Sequence, residues 1–212
     1  MTASEWETTG DLDAMLTAIK KRASDRKMLL FACGCCRLVD GQLPGVGGLA
    51  ARFEKDADRP MGRDEKFSLL SAVFQLASGE PQQILTWLLG GTDQSPWLLA
   101  SRVAGLLRNF QNARRASADP FVDHWAEQAA VLRELLGNPF RRPAFDAEWR
   151  TDTAVGVATA VEADAAWDRM PILADALQDA GCEDAAVLAH CRDPRAAHRR
   201  GCWVLDEVLG RP

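Results

Sequence analysis

The stretch SDRKMLLFACGCCRLV, residues 24–39, decides how this chain folds. Ser24 stands where a helix N-cap belongs, because its hydroxyl can accept from a free amide of the first turn. Gly41 lies just past the end, where a left-handed residue closes a helix. Wound at about 100° per residue, Met28, Phe31, Ala32, Cys35, Cys36 and Val39 share one broad apolar arc. Arg26 and Arg37 fall opposite it, and Cys33 sits at its edge. The segment reads as a central helix packed on its apolar face.

Helix signals continue outward from there, and convincing period-2 stretches are absent. Residues 41–48, GQLPGVGG, hold four Gly and a Pro and read as a break. Ser95-Pro96 and Asp119-Pro120 are cap-then-proline starts, leading into helices at Trp97–Ala116 and Phe121–Leu136, the second closed by Gly137. Further helices are expected at about 11–22, 49–58, 63–78, 81–90, 153–168, 171–180, 183–191 and 199–209. Connections are short except at 41–48 and 137–150, and no fixed-period repeat occurs. The expected fold is all-α: one compact domain spanning 1–212, built of nine to eleven short helices. Residues 137–150 are where it could subdivide.

The composition excludes several classes. With 212 residues, 47% hydrophobic and 26% charged, the chain is neither disordered nor fibrous. No apolar run approaches the roughly 18–20 residues that cross a bilayer. Met1–Gly10 is polar and acidic and lacks the basic and apolar regions of a secretory signal, so a cytoplasmic location is expected. A net charge of -5 speaks against a general attraction to nucleic acid or anionic lipid. Ten acids fall in 146–184, and four Arg plus His198 fall in 192–200; the two segments either pair or form solvated faces of opposite sign.

The six cysteines group at the two ends of the sequence: Cys33, Cys35 and Cys36, then Cys182, Cys191 and Cys202. As small hydrophobes on helices they belong in a core, and structural disulfides are not expected of a cytoplasmic chain. A second reading is a metal site. Cys33 and Cys36 form C-x-x-C, and His198 and Cys202 form H-x-x-x-C on one helix face, together the four N/S donors of a closed zinc centre. The 161 residues between Cys36 and His198 weigh against that quartet, as does a C-x-x-C lying inside a helix.

Catalytic motifs are missing: no dinucleotide or P-loop glycine pattern, nucleophile elbow or kinase signature occurs. Asp123 and Glu127, four apart, could flank one helix face beside His124, an arrangement more typical of a hydrogen-bonded surface histidine than of an acid–base pair. His190 and Cys191 are neighbours, but adjacent helical side chains point about 100° apart, so the imidazole cannot reach that sulfur. Of the seven Trp, Trp87, Trp97, Trp125 and Trp203 lie in apolar helical segments and read as core. Trp6 and Trp149, in polar surroundings, are the candidates for a partner surface.

Four stretches, Ser24–Arg37 (SDRKMLLFACGCCR), Gly137–Pro143 (GNPFRRP), Met170–Arg192 (MPILADALQDAGCEDAAVLAHCR) and Arg199–Gly210 (RRGCWVLDEVLG), together resemble a multi-copy bacterial family to which no activity is assigned. Pro171–Gly181 is also similar to the short helical repeat-companion domain that accompanies leucine-rich repeats, with Ala176-Leu177 where that domain has Trp-Leu. The resemblance implies a mobile helical module and brings no catalytic residues. The expected function is therefore a non-enzymatic adaptor or regulatory module that binds another protein. A zinc-stabilised small domain is the first alternative, and an enzyme or small-molecule receptor with a pocket between helices is the second.

Overall fold

The computed structural model describes residues 1–59, 64, 68, 71–72, 96–115, 124–141 and 145–211. The described residues form ten α-helices and two single 3-10 turns, with no strand among them, as an all-α chain requires. Of the helix expected at 63–78, residues 64, 68 and 71–72 are described and helical; the rest of it, the helix expected at 81–90, Trp87, the Asp119-Pro120 start and the environment of Asp123 and His124 lie outside the described residues. The chain groups into two compact units: Met1 with Thr8–Leu132, and Thr2–Glu7 with Arg133–Pro212. The elements are α1 (Ala3–Thr8), α2 (Leu12–Ile19), α3 (Asp25–Leu38), α4 (Val46–Lys55), α5 (Pro96–Arg115), α6 (His124–Leu136), α7 (Asp152–Asp164), α8 (Met170–Asp179), α9 (Ala185–Arg192) and α10 (Trp203–Val208).

In the first unit, α3 packs against both α4 and α5. Ser24 caps it as the sequence requires, accepting from the Lys27 amide at 3.3 Å. Burial exceeds the expected arc: every residue from Lys27 to Cys36 is buried, including Leu29, Leu30, Cys33 and Gly34. A helix apolar nearly all round is covered on more than one side. Its two arginines reach outward to acids, Arg37 gripping Glu54 through two hydrogen bonds (2.8 and 2.5 Å) and Arg26 meeting Asp58 at 2.6 Å. Pro96 opens α5, where its missing N–H is harmless. The Trp97 indole donates to the Leu16 carbonyl at 2.9 Å while Lys20 lies over its ring.

The break at 41–48 is shorter than the glycines imply. Helix α4 starts at Val46, because Gly45 takes φ 93° and the Asp40 carboxylate accepts the Gly47 amide at 2.9 Å. One free donor of the helix start is thereby satisfied from seven residues upstream. A methyl group on Gly47 would coincide with that carboxylate, whereas one on Gly48 meets nothing within 4 Å. Gly48→Ala is expected to stabilise the protein by about 0.5–1 kcal/mol through helix propensity. Gly47→Ala should instead destabilise it by about 1 kcal/mol, because Asp40 must swing away and the cap is lost. Denaturant midpoints of the two variants measure the contrast.

In the second unit, Thr151 caps α7, accepting from the Ala154 amide. Pro171 sits in the first turn of α8, and Asp184 caps α9 by accepting from Ala186 and Val187. The core joins these helices to α10 through residues such as Val161, Leu173, Leu177, Val187, Leu205 and Val208. The acidic and basic segments do pair in places: Arg192 reaches Asp175 at 2.7 Å and Gln178 at 2.8 Å. Exposed pairs of this kind contribute about 0–1 kcal/mol each.

Two expectations are corrected here. Trp6 is not a surface residue: it is fully buried, and the tail that carries it forms α1. Its ring packs by Phe140 at 5.8 Å, and its indole donates to the Gly137 carbonyl at 2.8 Å. Trp149, by contrast, is only half-buried, edge-on to Phe145 at 5.2 Å and against the core of this unit. The last helix also starts later than expected. Gly201 adopts φ 84° and Cys202 stands at the N-cap, so residues 193–201 form an irregular connection. His198 and Cys202 therefore do not share a helix face.

Candidate metal centre

His198 and Cys202 nevertheless meet, because the connection after α9 folds back over its own helix. His198 lies in that connection and Cys202 at the start of α10. Two further residues join them: His190 on α9 and Glu134 on the last turn of α6. Among the described residues this is the one group of three or more donors so placed, and its four ligand atoms all lie within 4.8 Å of one another. All four belong to the second unit.

The separations test whether the group fits an ion. Glu134 Oε1 lies 3.0 Å from His198 Nδ1 and 3.6 Å from His190 Nε2. Cys202 Sγ lies 3.2 Å from His190 Nε2 and 4.0 Å from His198 Nδ1. A tetrahedral ion with bonds of about 2.0–2.3 Å holds its donors about 3.3–3.6 Å apart. Four of the six separations bracket that value and the other two stay within 4.8 Å, so a small contraction would bring the donors around one ion. Deprotonated Cys202 and Glu134 with two neutral imidazoles carry two negative charges, which balance a divalent cation.

The surroundings are dry. Side-chain exposure is 7% for Glu134, 5% for His198 and 17% for His190, while Cys202 is wholly buried. Burial alone would raise the Glu134 pKa, but hydrogen bonds and charge from His190 and His198 outweigh it and hold the carboxyl down at about 2. Burial, then the Glu134 charge, pushes the Cys202 thiol well above its ordinary value. A coordinated cation reverses that, since a metal-bound thiol gives up its proton. The His190 ring lies near perpendicular to His198 at 4.9 Å, and the Trp203 ring lies 5.2 Å from it.

A cysteine 3.2 Å from a histidine invites comparison with a thiol nucleophile and its base. The geometry opposes it. In a nucleophile–base–orienter relay, the third group binds the ring nitrogen away from the nucleophile. Here Glu134 and Cys202 both approach His190 Nε2, converging on one nitrogen as ligands of one centre do. The buried thiol with its raised pKa is also a poor nucleophile.

Of the quartet expected for zinc, the cluster contains His198 and Cys202. Cys33 and Cys36 lie on α3 in the first unit, both fully buried, with the Cys36 thiol pushed up to about 12 by burial and by Glu54. All six cysteines are free thiols. Glu134 and His190 escaped the sequence reading. The available signal was H-x7-H-x3-C over residues 190–202, which gathers two of the three histidines of the chain beside a cysteine. Comparison of the chain with family models, with curated proteins and with solved structures gives no match. No helix among the described residues is long and apolar enough to cross a membrane.

Proposed function

We propose that this chain is a non-enzymatic helical module for protein interaction, whose second unit is fastened by one structural zinc ion. The observation carrying this reading is the closed set of four converging donors, Glu134, His190, His198 and Cys202. Two imidazoles, a thiolate and a carboxylate suit zinc, whereas all-oxygen sites suit magnesium and calcium. Four protein ligands fill a tetrahedral shell, while catalytic zinc keeps a position open for water or substrate. The ion would tie the end of α6, the helix α9, the irregular connection 193–201 and the start of α10 at one point. The interaction role is supported by the resemblance of the four quoted stretches to a mobile helical module.

Elemental analysis of protein purified without chelator tests the metal directly. One zinc per chain is expected; protein that neither contains nor takes up zinc would overturn the reading. Cys33→Ala and Cys36→Ala are expected to leave the zinc content at one per chain, since the shell is complete without them. Loss of zinc in either variant would return those residues to the ligand set.

A further inference from the structure

Helix α1 is six residues long, too short to hold a helical turn in water by itself. Its helical state depends on what receives it. Within the second unit, Arg133, Gly137, Asn138 and Phe140 all receive it. Gly137 takes the Trp6 indole proton, and the Arg133 Nε donates to the Trp6 carbonyl at 2.9 Å, at the end of α1 where free carbonyls gather. Asn138 Nδ2 donates to the Ala3 carbonyl at 3.0 Å and to the Glu7 carboxylate at 2.9 Å. Phe140 packs by the buried Trp6 ring.

The same stretch, 133–140, also supplies a ligand of the metal centre and touches the ring beside it. Glu134, a ligand, directly follows Arg133. The Gly137 backbone lies against the Trp203 ring so closely that a Cβ there would stand 3.0 Å from it. The Trp203 ring in turn lies 5.2 Å from the His190 ring, and Trp203 directly follows Cys202. Two routes therefore join the ligands to the seat of α1: Glu134 to Arg133 along the backbone, and His190 through Trp203 to Gly137 by contact.

We infer that metal occupancy of the Glu134–His190–His198–Cys202 centre controls the docking of the N-terminal helix α1. The inference rests on the zinc reading above. Binding fixes Glu134 and His190, and so fixes the carbonyl, guanidinium and amide that hold α1. Loss of the ion frees them, and α1 is released with Trp6 exposed. Linkage is reciprocal: if zinc tightens the docking of α1, docked α1 tightens zinc by the same factor.

The test uses the full chain, zinc-loaded and then stripped by chelator, with hydrogen exchange read at two places. Amides of Ala3–Glu7 are expected to exchange about ten-fold faster without zinc, a coupling of ordinary size. Amides of Met170–Leu177, in the core away from the seat, should change much less. A zinc titration supplies the reciprocal measurement. Trp6→Ala, which removes the anchor and no ligand, is expected to weaken zinc binding about ten-fold, with Trp6→Phe in between. Zinc bound at one per chain, with Ala3–Glu7 equally protected in both forms and Trp6→Ala binding as tightly as the parent, would overturn the coupling and leave the metal reading standing. Exposure of Ala3–Glu7 and Met170–Leu177 together would also overturn it, since zinc would then hold the unit as a whole. Failure to bind zinc would overturn both.

Discussion

Cys202→Ser is expected to remove zinc from the protein while leaving a folded chain. Serine nearly matches cysteine in size, and its hydroxyl can still hydrogen-bond to His190 Nε2, which lies 3.2 Å from the sulfur. It does not readily surrender a proton to the metal, so the charge balance of the site fails. The loss in zinc affinity should exceed the 10–100-fold typical of removing a mere outer partner of a ligand. The consequence for stability follows from mass action. An ion bound only by the folded state contributes about 4 kcal/mol when free zinc exceeds the dissociation constant roughly a thousand-fold. The parent should therefore melt higher with zinc than after chelation, and the variant should melt alike in both. Zinc content by elemental analysis and thermal midpoints with and without zinc check this; a variant retaining one zinc per chain would exclude Cys202 from the shell. Glu134→Gln separates charge from shape. The amide keeps the hydrogen-bonding outline and loses the anion, so zinc binding should fall without loss of the fold.

The contrast between these residues and α3 shows where sequence is informative. Caps, glycines and apolar periodicity are local quantities, and they place α3, the proline start of α5 and the glycine end of α6. They also misplace what local rules do not govern. Helix α4 begins early because Asp40, seven residues from Gly47, supplies its cap. Glu134 carries no local signal between Arg133 and Leu135; its partners are histidines 56 and 64 positions away. Sequence adjacency sets His190 beside Cys191, yet its sulfur partner is Cys202, which follows the positive-φ turn at Gly201. Half of the cluster, His198 and Cys202, was legible as a spacing. The other half depends on tertiary closure, which no spacing encodes. Trp6 fails for the same reason: nothing in a polar tail announces a carbonyl at residue 137 waiting for its indole.

Gly137 is where these dependencies meet, and its replacement is the second large effect. It ends α6 in the left-handed region at φ 60°, so an L side chain there costs about 1–2 kcal/mol in backbone strain. A Cβ would also press on the Trp203 ring at 3.0 Å, and that ring lies 5.2 Å from the His190 ring. Crowding of a packed site adds about 1 kcal/mol or more. Gly137→Ala is thus expected to destabilise the protein by about 2–3 kcal/mol in total. Gly181→Ala separates the two causes. Gly181 has φ 86° but meets nothing within 4 Å, so only the strain should appear, at about 1–2 kcal/mol. Equilibrium unfolding in denaturant measures both, and zinc titration supplies the readout that strain alone would not move. Gly137→Ala should weaken zinc binding through Trp203 and His190, and Gly181→Ala should leave it unchanged. Equal zinc affinity in the two variants would mean that the Trp203 contact carries nothing to the metal centre.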